Sequence, residues 1–528
     1  MEIESIFPLT YRLSNPNYTI YHRAALGGLA ATIKAWGKSP PEGILPKLEQ
    51  DYVTIQKTGD LTDKKALQLI LDASFKLTED KLIDLPGQFI REDAIDLRIS
   101  IHEGLCLTFL QHNKMRPGEK EPRKCSLKLS DSEESHLVTY KAINSFAHQK
   151  AQGTGLLDDS KKSTGSGTLP KIASIPQSMI PGAMTGQKSL QAPVEEVILL
   201  QFLMVGCATF LLRPRTYKEK AQACIVVPDI IDLKRFASMI EIINKRSQNF
   251  ERFTNNYLGR IVGGAEEAAL SFLLDMTAKD IEREKSIKGC QAIAMGKVAW
   301  DKNQINRSIC IKIGGDYEEL KVFHAAKQYL GKGKFIKMKD GKSFSIPDTS
   351  IPELIAANLA ADRPWCSHFK ELVAEKKDFR NLLFRKGELH KVVQAIKDDI
   401  DRAIIHAFYD AWKRVRGQLR QRAKDESKKK NIDYLPIYYA FLEVRSEKIR
   451  NEILRLKTPD LLAGWFLRFC ADATKGRNLI GISDNADQIL KFIFNARNFN
   501  RFQNLLLFAL VSYKSDETIT ETNKNGDN

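Results

Sequence analysis

Apolar positions along the chain change their period near residue 350. Upstream of that point, IFPLTYRL predicts a short strand from residue 5. Ala24, Ala25, Leu29 and Ile33 then recur near helical spacing and predict a helix over Tyr18–Trp36. Short α and β elements continue to about residue 150, with the charged, turn-forming stretch 113–124 (NKMRPGEKEPRK) predicting an exposed loop or hairpin tip. Strands are expected at Ala208–Leu212 and Ala223–Val227, and the polar basic segment between them suits a solvent-projecting hairpin end. Helical patterns follow at 232–246 and 265–283, then a strand pair at 291–300 and 307–313, a helix at 317–330 and the basic stretch GKGKFIKMKDGK.

Beyond about residue 350 the strand signal vanishes. Val392, Ile396, Ile400, Ile404, Phe408 and Trp412 recur every fourth residue, a stripe that must face a neighbouring helix, and further helices are predicted at 436–457, 459–473 and 485–512. The expected fold is an α+β N-terminal region with β-hairpins followed by an all-α C-terminal helical bundle of four or five helices. Its expected domains are 1–150 (α+β), 151–193 (a Gly/Ser/Pro-rich loop or linker), 194–349 (α+β with basic hairpins), 350–514 (helical bundle) and 515–528 (a disordered tail). The linker reading rests on composition: 20 of the 43 residues in 151–193 are Gly, Ser, Thr or Pro and none is aromatic, too little to hold a fold alone.

Composition adds the kind of partner. The 528 residues are 43% apolar, enough for real cores, and Lys plus Arg exceed Asp plus Glu by 81 to 65, a net charge of +16. Such an imbalance favours polyanions, nucleic acid first and an anionic membrane second. The eight cysteines are scattered with no CxxC pair, so they read as reduced, mostly buried thiols without zinc spacing. The start MEIESIFPLTYRL lacks a basic segment followed by a continuous apolar one, which leads to a cytoplasmic expectation. The longest apolar run, Val197–Leu212, is 16 residues interrupted by Gln201, Gly206 and Thr209, shorter than a bilayer needs, and reads as buried core.

Motifs for chemistry are missing. His102-Glu103 has no second histidine to make HExxH, and Gly341-Lys342-Ser343 lacks the first glycine of a P-loop, since Ile336 stands where it would fall. A metal-dependent nuclease remains the enzymatic alternative, because Pro228-Asp229 and Asp232-Leu233-Lys234 imitate its carboxylate pattern. Those carboxylates are too close together to sit on different strands around a metal, and Asp232 suits the N-cap of a helix beginning at Leu233. An RNA-binding structural protein is a third reading. No catalytic, metal or cofactor site is expected.

Basic segments are the one strong theme. Lys413–Lys430, KRVRGQLRQRAKDESKKK, holds nine basic and two acidic side chains on and beyond a helix, either a solvated face or a phosphate-tracking surface; its density favours the latter. Its candidate nucleic-acid ligands are Lys413, Arg414, Arg416, Arg420, Arg422 and Lys424. Lys332, Lys334 and Lys337 lie among glycines that let backbone amides approach phosphate. Arg213, Arg215, Lys218 and Lys220 sit at the expected hairpin end, where arginines read guanine edges or hold phosphate, and Lys161 and Lys162 lie in the linker.

Three patches together carry a resemblance: Leu9-Thr10-Tyr11-Arg12 followed by Tyr21–Leu29 (YHRAALGGL); the turn Arg213-Pro214-Arg215 leading to Val227-Pro228-Asp229 and Asp232-Leu233; and Gly296–Trp300 (GKVAW) with Arg307. Over residues 5–315 the chain resembles the large subunit of type I CRISPR Cascade complexes, in the MYXAN subtype and related type I-B systems. The resemblance implies a non-catalytic subunit whose N-terminal domain sits beside the crRNA 5′ end and recognises the protospacer-adjacent motif, while a C-terminal bundle guides the displaced strand. Implied partners are crRNA, target double-stranded DNA and the other Cascade subunits: backbone, 5′-handle-binding and small helical. A helicase-nuclease or a TniQ-type transposition adaptor would be recruited. The resemblance carries no catalytic residues, and none of its motifs fixes which residues read the flanking DNA.

Overall fold

The computed structural model describes residues 5–128, 135–157, 167–176, 179–180, 190–212, 222–246, 261–277, 286–295, 308–309, 319–331, 333–337, 343–347, 349–474 and 485–514. The chain forms two compact units, Met1–Asp316 with Lys332–Glu353, and Tyr317–Gly331 with Leu354–Asn528.

The first unit is α+β and is organised on the helix Ile20–Trp36, whose residues from Ala24 to Ile33 are all buried. A helix made of AALGGLAA has almost no side-chain volume, so neighbouring backbones come within contact of its own. A Cβ on Gly28 would lie 2.1 Å from the Phe202 carbonyl oxygen, and one on Gly206 would lie 2.0 Å from that of Ala24. The Val194–Leu200 helix, the Leu203–Gly206 turn and the Leu233–Arg246 helix pack around it. The apolar run Val197–Leu212 is thus core, as its composition implies.

One face of this helix covers a five-stranded sheet ordered Ile261–Val262, Ala208–Leu212, Gln222–Ile230, Ile287–Ala294, Ser308–Ile309. The first pair is parallel and the others antiparallel. The helix Ala265–Thr277 also packs against Gln222–Ile230, which explains why that strand is a continuous apolar run and does not alternate. A three-stranded antiparallel sheet places Tyr52–Lys57 between Leu9–Arg12 and Ile44–Leu48. The Asp232 carboxylate accepts the Arg235 amide at 2.8 Å, so it caps the following helix, and Asp229 pairs with Arg23 at 2.5 Å. Every described cysteine is a free thiol, buried except for half-buried Cys125; Cys310 lies outside the described residues.

In the stretch 151–193, residues 158–166, 177–178 and 181–189 lie outside the described residues. Its described parts belong to the first unit, where Ile172–Ile175 pairs with Leu190–Pro193 and Leu156, Leu169 and Met179 are buried. A few spaced apolar residues suffice here because they dock on an existing core and need not build one.

The second unit is helical. Its hub is the helix Phe499–Ser512, buried continuously from Phe502 to Ser512 and surrounded by Lys386–Gln394, Asp399–Lys430, Tyr434–Arg455 and shorter helices. The helix Leu320–Leu330 joins this unit through the buried face Val322, Phe323, Ala326 and Leu330, which accompanies Lys386–Gln394. The fourfold stripe spans two helices. The first ends at Gln394, and Asp398 caps the second by accepting the Ile400 and Asp401 amides at 2.9 Å each. Val392, Ile396, Ile404, Phe408 and Trp412 are nevertheless all buried, and Ile400 is half-buried.

The close backbone packing sets opposite outcomes for three glycines. Gly28→Ala and Gly206→Ala each push a methyl group into backbone, so each should destabilise the first unit by about 1–3 kcal/mol or more. Gly417→Ala, in an exposed helix with nothing nearby, should stabilise the second by about 0.5–1 kcal/mol. Urea unfolding read by hydrogen exchange in each unit checks both signs.

Acid should act on the first unit through two histidines. Burial lowers the His148 pKa to about 3, and burial lowers that of His102 to about 4, the latter ring accepting the Ile83 amide and facing the Lys141 carbonyl. The unfolded chain takes up these protons near pH 6.5, before the folded one. The histidine contribution to the stability of the first unit should therefore be flat above that value and fall below it, by up to about 1.4 kcal/mol per pH unit for each histidine, until the folded groups titrate. His148→Leu should flatten this dependence in unfolding measured from pH 7 to 5.

Candidate nucleic-acid interface

The helix Asp399–Lys430 is 32 residues long, about 48 Å at 1.5 Å per residue. Only its first half is apolar enough to be enclosed: Ala403–Ile405, Ala407–Tyr409, Ala411 and Trp412 are buried, and beyond Trp412 only Ala423 is. At its end Asn431 takes a left-handed conformation (φ 49°), and Asp433 caps the next helix through the Leu435 amide at 3.2 Å. The basic half is thereby paired with Tyr434–Arg455 in a helical hairpin.

This pairing divides the basic run into two faces. Val415, Arg416, Leu419, Arg420, Ala423, Glu426 and Ser427 are buried or half-buried, at intervals of three and four residues, and so lie toward the partner helix. Lys413, Arg422, Lys424, Lys428 and Lys429 are exposed, and Arg414 is half-buried. Lys413 and Lys424, eleven residues apart, return to nearly the same direction around the helix. Lys428 lies one turn further, making a row of about 22 Å.

Contacts from Arg416, Arg422 and Lys424 to aromatic side chains hold the hairpin together. Arg416 Nε donates to the Tyr438 hydroxyl at 3.0 Å, and its guanidinium lies 5.1 Å from the Tyr513 ring centre. Arg422 lies 4.9 Å over Phe441 and the Lys424 ammonium 5.7 Å from the Tyr434 ring. Lys430 pairs with Glu426 at 2.7 Å, and that hydrogen bond holds the Glu426 carboxyl below its ordinary pKa. One of the two acids in the run is thus neutralised, while Asp425 is exposed. The sequence signal for this arrangement was available in YLPIYYAF, the aromatic-rich segment shortly after the basic run.

The other candidates are not gathered here. Lys334 and Lys337 lie on the strand Gly333–Lys337, which pairs with Ser343–Pro347 as a hairpin. Lys161, Lys162, Arg213, Arg215, Lys218, Lys220 and Lys332 lie outside the described residues, as does the GKVAW patch. The strands flanking 213–221 pair antiparallel up to Leu212 and Gln222. Within the first unit Arg23 pairs with Asp229, and the His22 ring meets the Thr19 hydroxyl through Nδ1 at 2.9 Å. Among the described residues no group of three or more His, Cys, Asp or Glu is placed to hold a metal ion, and no helix is long and apolar enough to cross a membrane.

Replacing Arg416 by Ala should destabilise the helical unit by about 1–2 kcal/mol, because it removes a hydrogen bond and a ring contact together. Lys413→Ala and Lys424→Ala should stay within about 0.5 kcal/mol. A double-mutant cycle of Arg416→Ala with Tyr438→Phe checks the assignment, with an expected coupling of about 0.5–1.5 kcal/mol.

Residues 10–201 match the family described as the DevT N-terminal domain, and residues 393–528 match the DevT C-terminal domain. The chain is similar to the CRISPR-associated protein Cas8a1/Csx13 of Myxococcus xanthus (strain DK1622), with 26% identity over 386 residues. The match covers 69% of this chain and 63% of that relative, somewhat under two thirds of its length.

Proposed function

We propose, from the premise that this chain belongs to the family of CRISPR large subunits, that it is the non-catalytic large subunit of a crRNA-guided type I surveillance complex. In this reading the first unit recognises the protospacer-adjacent motif in duplex DNA and begins strand opening. The helical unit then steadies the displaced strand while guide RNA pairs with the other, the division of labour expected where base pairing reads the sequence. Its partners are crRNA, target DNA and the remaining Cascade subunits, with a helicase-nuclease or a TniQ-type adaptor recruited afterwards.

One observation carries the reading. The two DevT matches fall one in each unit, and the C-terminal match contains the exposed lysine row Lys413, Lys424 and Lys428. A row of ammonium groups on a rigid helix suits a strand whose sequence is not being read, because phosphate contacts position without specifying.

The test reverses that row, Lys413→Glu with Lys424→Glu and Lys428→Glu, and leaves the packed arginines intact. In the assembled complex R-loop formation on long targets should fall about tenfold or more, with flanking-motif preference unchanged. The slope of log affinity for single strands against log salt should become shallower by about 2, at roughly 0.7 per lost phosphate contact. A variant that changes motif preference and opens DNA normally would show the two units assigned to each other's tasks.

A further inference from the structure

Within the helical unit, beside the basic hairpin, lies a cleft of about 910 Å³. Its floor is apolar, formed by Leu383, Trp412, Leu442, Leu510 and Val511, and its edge carries Lys376, Lys377, Arg380, Lys386 and Arg416 together with Glu375 and Glu443. The two ends differ electrically. At one end Lys376 pairs with Glu447 at 2.8 Å, and Arg380 pairs with both Glu443 and Glu447. At the other, Lys386 has no carboxylate at ion-pair distance among the described residues, and it lies in the fields of Arg416 and Lys514. Burial lowers the Lys386 pKa, and these two cations lower it further. Gathering cations without a counterion is unfavourable, so this end is poised for an anion.

Two aromatic side chains line the same cleft in the open. Phe384 is 84% exposed and Tyr439 49% exposed. Leaving a phenyl ring in water forgoes about 1.5–3 kcal/mol of burial. An open ring beside an apolar floor and an uncompensated positive end matches a ligand with a flat apolar face and an anionic tail.

We infer that this cleft is a nucleotide pocket, which takes one unstacked base of a single strand against Phe384 and Tyr439 and its phosphate on Lys386 and Arg416. The inference rests on the strand-guiding reading above and gives it a specific anchoring point. Arg416 already spends its Nε on Tyr438 and is held over Tyr513. Its remaining N–H groups are therefore presented at little further entropic cost. Stacking on an aromatic ring accepts any base, so the pocket fixes a strand without reading it.

The experiment uses the full chain and two fluorescein-labelled 20-nucleotide single strands, one of deoxythymidine and one fully abasic. Phe384→Ala, a change at an exposed position, should weaken the base-bearing strand about tenfold, within the roughly 1–3 kcal/mol range for one stacked base, and leave the abasic strand unchanged. Lys386→Gln should weaken both several-fold. Equal losses on the two strands with Phe384→Ala, or no loss on either, overturn the pocket. So does loss of a partner subunit from the assembled complex with strand binding intact, which would make the cleft a protein seat. If the Lys413, Lys424 and Lys428 reversal weakens strand binding while Phe384→Ala does nothing, only the pocket fails. If neither weakens it, the strand-guiding reading fails and takes the pocket with it.

Discussion

The first unit depends on a backbone contact. Gly28 and Gly206 let the helix Ile20–Trp36 meet the turn Leu203–Gly206 so closely that a side chain at either position would run into the backbone of the opposite element. The elements beside it are placed around that approach: the central strand Gln222–Ile230 lies against the same helix, and Gly27 admits Ile230 and Phe236 to its surface. Small residues reduce the apolar area each position can bury, and the compensation is dispersion between closely apposed backbones. A core built this way tolerates little, since rigid backbone cannot rotate aside as a side chain can.

The helical unit relies on a different constraint, a buried polar knot. Asp401 is completely buried, accepts the Trp365 indole N–H at 3.0 Å and pairs with Arg501 at 2.9 Å, while Arg501 also reaches Asp398 at 2.7 Å. Burial raises the Asp401 pKa, and Arg501 opposes that shift. Removing one partner would strand a buried charge, a loss of about 3–5 kcal/mol. The knot ties the start of Asp399–Lys430 to Phe499–Ser512. With that end anchored, the other half of the long helix leans on Tyr434–Arg455, with Tyr513 beside Arg416, and keeps its opposite face in water.

Periodicity made the helical half of the fold legible, because apolar residues recurring every fourth position from Val392 to Trp412 form a continuous stripe only on a helical surface. It did not reveal the break at Ala395–Asp398, since a four-residue spacing passes through a short non-helical link without losing phase. Composition scores 151–193 by itself and so gave no sign that Leu156, Leu169 and Met179 are buried within a larger unit. The basic run was legible as charge, but its division was not: Arg416 and Lys413 look alike until the partner helix chooses a side. Phe384 and Lys386 gave no signal in sequence, where a lone aromatic and a lone lysine are ordinary.

That division bears on what the helix can recognise. Arginine has a planar, weakly hydrated head that stacks on rings and fits hydrogen-bonding forks, whereas lysine presents a compact, strongly hydrated point charge on a flexible stem. Here Arg416 and Arg422 are engaged with Tyr438, Tyr513 and Phe441, Lys424 lies beside Tyr434, and most of the exposed cations are lysines. An open row of arginines would favour particular base edges, guanine above all. A row of lysines neutralises phosphate with little regard to base. If the surface holds the strand displaced by an RNA guide, as proposed, base preference would be a fault, because some targets would open less readily than others of equal complementarity. In the proposed reading, an exposed face made mostly of lysine, with Arg416 packed against Tyr438 and Arg422 laid on Phe441, keeps that preference low.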